Sequence, residues 1–291
     1  MTLEWRYKPN LFIVGMPRSG TTSLYTYLKQ HPDIYLSLYK EPHYFGKDLT
    51  QNTYCIRDEE VYCSLFEQAE NKKRIGEASV WYMTSKTAAA GIKKFNPAAK
   101  IIIMLRNPIE MIYSLHGLYT RTGNEDVTDF REALEIQPER MKGLRIPETC
   151  YFPEGLFYTE VAKYEDKIKR FVDAFGMENI HVIIFDDFAS NTAISYTGTL
   201  RFLGVDANFQ AEFDLRKASD IVRPMVLHQL RHVHPEVKEK LSIKTGHRAH
   251  QGPKRSSLSL ELKSRLQRLF KEDIEKTSEL IHRDLTHWCG S

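Results

Sequence analysis

Short, nearly continuous apolar runs, separated by longer stretches of helical period, set the pattern of this chain. Residues 11–14 (LFIV), 100–105 (KIIIML) and 180–185 (IHVIIF) are brief, β-branched and apolar at almost every position. A strand with one wet face alternates, so runs without alternation predict strands covered on both faces, as in a parallel sheet. Amphipathic stretches lie at 22–30, 85–95, 158–175 and 258–282. Strands alternating with helices predict an α/β fold, a doubly wound central parallel sheet flanked by helices in three layers. Residues 121–157 break the rhythm with charges, Gly123, Gly143, Pro138, Pro147 and Pro153. They predict a lid or substrate-side insertion rather than a second domain. Residues 244–259 (KTGHRAHQGPKRSSLS) predict a basic loop. No repeat or long low-complexity linker divides the sequence, so residues 1–291 are expected to form one domain.

Charge and cysteines narrow the classes. The net charge of +3 suits an anionic small ligand and is far from the basic bias of a nucleic-acid binder. Cys55, Cys63, Cys150 and Cys289 form no CxxC pattern, which argues against zinc; Cys55 and Cys63 could pair, though free thiols are the simpler expectation. The opening MTLEWRYKPN has no apolar signal core, and no segment reaches the roughly 18 consecutive apolar residues of a membrane span. The expectation is a cytoplasmic protein without a membrane partner, unless a precursor segment is missing. Oligomeric state is not readable.

The first apolar run leads into GMPRSGTTS, residues 15–23. A buried strand, a tight turn and a helix start present backbone N–H groups that can cradle a phosphate-like group. Gly15 and Gly20 have the separation of a Walker A loop, GxxxxGK[ST], but Thr21 stands where that loop carries lysine. Arg18, inside the loop, is the cation instead. A second element follows the run at 100–105. Arg106 ends it, Asn107 can cap a helix, Pro108 suits the first turn, and Ser114 falls two turns on. An Arg fork beside a hydroxyl matches phosphate oxygens.

Together, a phosphate loop after the first strand and an RNPxxxxxS element after a later one resemble the sulfotransferase family. KEPHYF (40–45), GEASVWYM (76–83), VIIFDDF (182–188), LRFLGV (200–205) and RDLTHW (283–288) extend the resemblance over nearly the whole chain, towards bacterial members and the heparan-sulfate-type branch. The resemblance implies a P-loop-like fold. It also implies 3′-phosphoadenosine 5′-phosphosulfate (PAPS) as sulfonate donor, 3′-phosphoadenosine 5′-phosphate (PAP) as product, and no metal. Arg18, Ser19, Gly20, Thr21, Thr22 and Ser23 would then hold the 5′-phosphosulfate, and Arg106 and Ser114 the 3′-phosphate. Arg18 stands where family members often carry lysine. Ser23 replaces an adenine-stacking tryptophan found in some cytosolic members, leaving Tyr158, in GLFYTEVAKY, as the expected neighbour of the base. Lys254 and Arg255, with Lys244 and Arg248, would close a basic loop over the 3′-phosphate.

The acceptor must lose a proton. Glu41 matches the glutamate assigned as base in the heparan-sulfate-type branch, and His43 is the second candidate, as base or orienter. The histidine of the cytosolic branch and the lysine of the heparan type are both absent from GEASVWY, where Ala78 lies between Glu77 and Ser79. Lys40 is expected to supply the missing cation. His116 is expected to be structural. Tyr44, Phe45, Trp81, Tyr82, Tyr119 and Tyr151 are either acceptor-pocket or core aromatics. The expected partner is a small-molecule acceptor. The competing expectations are a P-loop kinase using ATP, with Asp186 and Asp187 imitating a magnesium site, and a non-catalytic nucleotide-binding module.

Overall fold

The computed structural model describes residues 7–50, 54–217, 234–246 and 258–290. Its strands are β1 (Leu11–Ile13), β2 (Ile34–Leu36), β3 (Arg74–Ala78), β4 (Lys100–Leu105) and β5 (Ile180–Ile184). They form one sheet in the order β2-β3-β1-β4-β5, with every neighbouring pair parallel. The three apolar runs are therefore strands, although Phe185 begins a helix rather than ending β5. The apolar runs did not point to β2 and β3. β2 has only three residues, and β3 (RIGEA) is broken by glycine and glutamate. Gly76 is there because β3 presses on β1: a Cβ would lie 2.2 Å from the Leu11 carbonyl oxygen.

Successive residues of the central strands face opposite layers, which is why their sequences do not alternate. Leu11, Ile13, Ile102 and Met104 pack with Leu24, Leu28, Tyr196 and Leu200 of the helices Thr21–Leu28 and Thr192–Leu203. Phe12, Ile101, Ile103 and Leu105 join Ile92, Ile112, Ile168 and Phe270, from the helices Ala88–Phe95, Pro108–Thr122, Glu165–Phe175 and Leu260–Leu280. The result is the three-layer α/β arrangement, with the sheet in the middle.

The stretch 158–175 is two helices, not one. Tyr158–Val161 stops, and Asp273 of the C-terminal helix caps the restart by accepting from the Tyr164 and Glu165 N–H groups at 2.7 and 3.3 Å. Residues 244–246 end the helix Pro235–Gly246, so Lys244 does not belong to a loop. Residues 247–257, with Arg248, Lys254 and Arg255, lie outside the described residues. Within 121–157, Phe130, Leu134, Phe152 and Leu156 belong to the larger core. All four cysteines are free thiols. No helix among the described residues is long and apolar enough to cross a membrane.

The order of strands fixes where a ligand can sit. From β1 the chain crosses to β2 on one side and later reaches β4 on the other. The connections leaving β1 and β4 diverge, opening a crevice at the carboxyl ends of those two strands.

Candidate active site

The loop after β1 runs into that crevice. Val14 and Met16 continue the pairing with β4, donating to the Ile102 and Met104 carbonyls at 2.9 and 2.7 Å. Gly15 lies so close to β4 that a Cβ would meet the Met104 backbone N at 2.4 Å. Gly20, at φ 89°, turns the chain into the helix Thr21–Leu28. The first-turn N–H groups of that helix have no intrahelical carbonyl within reach and form the positive end of its dipole. Arg18 adopts φ 62°, an uncommon conformation for a non-glycine residue, and projects into a cavity with Thr21 and Thr22. Ser19 is buried, its hydroxyl turned back to the Pro17 carbonyl at 3.4 Å. Ser23 lies one residue further along the helix and is half-buried.

Arg106 leaves the end of β4. Its guanidinium lies 4.6 Å from the centre of the Phe185 ring, pairs with Glu110 at 2.9 Å and donates to the Arg18 carbonyl at 3.3 Å. Asn107 caps the following helix, its side chain accepting from the Ile109 and Glu110 N–H groups, with Pro108 in the first turn. That helix carries Ser114 to the Arg18 side chain, where the Arg18 Nε donates to Ser114 Oγ at 3.0 Å. The two elements expected to hold opposite ends of a nucleotide are thus in direct contact.

Lys40, Glu41 and His43 converge on the other side of the cavity. Lys40 Nζ lies 2.5 Å from Glu41 Oε1, and His43 Nε2 lies 3.3 Å from Glu41 Oε2, which also accepts from the Val80 N–H at 2.9 Å. Burial alone would raise the Glu41 pKa. The Lys40 and His43 charges, with hydrogen bonds from Lys40 and the Val80 N–H, outweigh it and hold the carboxyl below its ordinary range. Glu41 and His43 both take positive φ, 64° and 51°, on either side of Pro42. Ala78 is fully buried, and its carbonyl accepts from the Glu41 N–H at 2.8 Å.

Glu77 was read only as a marker beside Ala78, yet it is the buried acceptor beneath this segment. It is 1 % exposed and accepts from Ser79 Oγ and Tyr82 OH, both at 2.7 Å, and from Tyr62 OH at 3.2 Å. Burial pushes its carboxyl up to about 7, and the Glu41 charge adds to the rise. A glutamate in a strand buried on both faces is the one sequence signal that could have singled it out.

The cavity measures about 480 Å³, within the range of small-molecule sites. Arg18, Thr21, Thr22, Lys40, Glu41 and His43 occupy its polar part; Tyr54, Trp81, Leu115, Leu118, Tyr119, Tyr151 and Phe152 line the rest. Trp81, Tyr119 and Tyr151 thus line the wall, Trp81 and Tyr119 also belonging to the core, whereas Tyr44, Phe45 and Tyr82 are core without lining the cavity. Tyr158 corrects an expectation. It is fully buried, its hydroxyl donates to Glu125 at 2.8 Å, and it offers no face to a base. His116 is structural: it is buried, with Nε2 2.9 Å from the Val127 carbonyl. Asp186 and Asp187 open the helix Phe185–Ser190 and engage the C-terminal segment, Asp186 accepting from Trp288 and Asp187 pairing with Arg283. No cluster of metal-ligating side chains is present among the described residues.

The family described as Sulfotransferase domain matches residues 8–279. The chain belongs to the sulfotransferase family. It is similar to a crystal structure of a sulfotransferase from Alicyclobacillus acidocaldarius, with 30 % identity and a TM-score of 0.77, covering 97 % of this chain and 98 % of that one. Mouse carbohydrate sulfotransferase 15 is 28 % identical over 253 residues, covering 69 % of this chain and 44 % of the relative. The chain therefore spans less than half the length of that curated relative. A mouse sulfotransferase crystallised with PAP shares the fold at 18 % identity and a TM-score of 0.50, covering 92 % of this chain and 85 % of that one.

Proposed function

We propose that this sulfotransferase moves the sulfonate of PAPS onto a hydroxyl or amine of a small acceptor, with Glu41 as the base. One observation carries this reading: the phosphate loop and the Lys40–Glu41–His43 group open onto the same cavity. The fit to PAPS rests on the donor set. A guanidinium, a helix start and hydroxyls surround one end, and a second guanidinium with a hydroxyl lies beside it. PAPS supplies an activated sulfonate: the bond between sulfur and the oxygen bridging to the 5′-phosphate breaks, a bond to the acceptor oxygen or nitrogen forms, and PAP departs.

The protein's part is positioning and charge balance. The loop amides and Arg18 hold the 5′-phosphate end and offset charge growing on the bridging oxygen. Arg106 and Ser114 hold the 3′-phosphate. Ser114 Oγ accepts from Arg18 and keeps its own proton to donate. Glu41 accepts the acceptor proton, with His43 holding the carboxylate. Lys40 turns from Glu41 towards the sulfonate oxygens as the nucleotide enters. Loss of that ion pair raises the basicity of Glu41 when a proton must be taken.

The outer wall favours an acceptor that is largely apolar. Polar wall groups are engaged within the protein: Tyr119 OH donates to Phe152, Asn124 donates to Thr122 Oγ1 and accepts from the Tyr151 N–H, and Thr122 donates to Leu118. Among the described residues few remain to satisfy a polyhydroxylated ligand, and Arg18 and Lys40, the lysine or arginine cations lining the cavity there, belong to the sulfonate end. The engagement of Asp186 and Asp187 disfavours the ATP-using alternative. Calorimetric titration with PAP and with ATP, with and without magnesium, on wild type and Arg106→Ala tests the proposal. Metal-independent PAP binding that Arg106→Ala abolishes is expected; magnesium-dependent ATP binding without preference for PAP would overturn it.

A further inference from the structure

Glu41 and His43 sit in an unusual stretch of backbone. Two positive-φ residues flank Pro42, a conformation that persists only where surroundings enforce it. The enforcing contacts come from two directions. From outside, Arg57 donates to the carbonyls of His43 and Tyr44 and, at 3.2 Å, to that of Gly46. From beneath, Ser79 Oγ accepts from the His43 N–H at 3.2 Å and Tyr82 OH accepts from the Phe45 N–H at 3.3 Å.

Both hydroxyls spend their single proton on the same carboxyl, that of Glu77. A hydroxyl rotor can point its proton or its lone pairs at a neighbour. When ionised, the carboxylate only accepts and draws both protons inward, so the lone pairs face the amides of residues 43 and 45. Without it, either proton can swing towards the N–H it should accept from.

We infer that Glu77 is a positioning residue for the transfer reaction, orienting Ser79 and Tyr82 so that they clamp the backbone presenting Glu41 and His43. It touches neither substrate; its effect passes through two hydroxyls and two amides. This rests on the proposal that the Glu41–His43 pair removes the acceptor proton, but the clamp itself is measurable without turnover. Tyr62, the third donor, completes the satisfaction of the carboxyl.

The experiment compares wild type, Glu77→Gln, Ser79→Ala and the Glu77→Gln/Ser79→Ala double variant by hydrogen–deuterium exchange over residues 41–46, PAP titration and steady-state kinetics. Glu77→Gln places an amide N–H₂ where an acceptor stood. Exchange at the His43 and Phe45 amides is expected to accelerate and kcat to fall roughly 10- to 100-fold, the scale of a small misplacement of reacting groups. PAP affinity and KM for PAPS should stay within about twofold, and Ser79→Ala should add little on top of Glu77→Gln, because both act through one path. Unchanged exchange over 41–46, full additivity of the two kcat effects, or a parallel loss of PAP affinity would overturn the assignment. Should Glu77→Gln not fold, Ser79→Ala and Tyr82→Phe, which leave the carboxyl in place, carry the same expectation at one amide each. Absence of sulfonate transfer by the wild type would count against the proposed function alone, and exchange would still decide the role of Glu77.

Discussion

Arg18 Nε and Ser114 Oγ are 3.0 Å apart, although 96 residues separate them in sequence. The contact ties the phosphate loop to the helix that follows β4. Ser114→Ala removes the anchor of Arg18 and, on the proposed reading, a phosphate donor. PAP affinity is expected to fall about tenfold, the order of one charge-assisted hydrogen bond, and kcat to fall with it. Calorimetry and initial rates measure the two effects separately.

Glu110 competes for Arg106. The pair is half-exposed and spaced i,i+4, so it contributes little stability, roughly 0.3–0.5 kcal/mol. On the proposed reading, a 3′-phosphate at Arg106 must displace that carboxylate and approach its charge. Glu110→Gln is therefore expected to tighten PAP binding two- to fivefold, with a smaller gain at high salt. Titration at two ionic strengths checks it; weaker binding would mean that Glu110 orients Arg106.

The acid limb of kcat/KM reports the free enzyme's base. Glu41 is held below the ordinary carboxylate range, chiefly by the Lys40 charge working against burial, so wild-type activity should persist to low pH. Lys40→Met removes that charge, the Glu41 pKa rises, and the acid limb should move to higher pH. A pH profile of both proteins reads the sign directly. An unmoved limb would point away from Glu41 as the titrating base.

Arg140 is 1 % exposed and grips Glu125 through two hydrogen bonds, from Nη1 to Oε2 and from Nη2 to Oε1, with Tyr158 as third partner. Glu125→Ala leaves a buried guanidinium with only the exposed Asp126 carboxylate, at 3.4 Å, and should cost about 3–5 kcal/mol. Denaturant unfolding measures it. Replacing the pair by apolar residues of similar volume should recover much of the loss.

The layered sheet was legible because β1, β4 and β5 are apolar on both faces, and covering both faces is what a parallel sheet requires. β3 was not, since its positions are set by close approach to β1 at Gly76 and by the buried acceptor Glu77. Neither leaves a hydrophobic period. Arg18, Arg106 and Ser114 stand out by spacing as candidates, and the proximity the structure gives them follows from β1 and β4 being neighbours. Tyr158 misled because an aromatic in a matching motif does not reveal which side of a wall it faces. Here Glu125 and Arg140, more than fifteen residues away, draw it inward. The brace beneath His43 was invisible, because hydroxyl-to-amide contacts between residues 77–82 and 43–45 leave no local pattern.

The strained 41–43 backbone is held from β3 and Arg57, whereas the outer wall comes from Tyr54, Leu118, Tyr151 and their neighbours. On the proposed reading, Tyr54, Leu118 and Tyr151 form a part of the acceptor wall that lies outside the contacts bracing the base, whereas Trp81 and Phe152 belong to both. Such a partition lets the first three side chains change while the proton-removing geometry stays fixed. Redesign of acceptor range should therefore begin at Leu118 and Tyr151, with residues 41–46 and 77–82 left untouched.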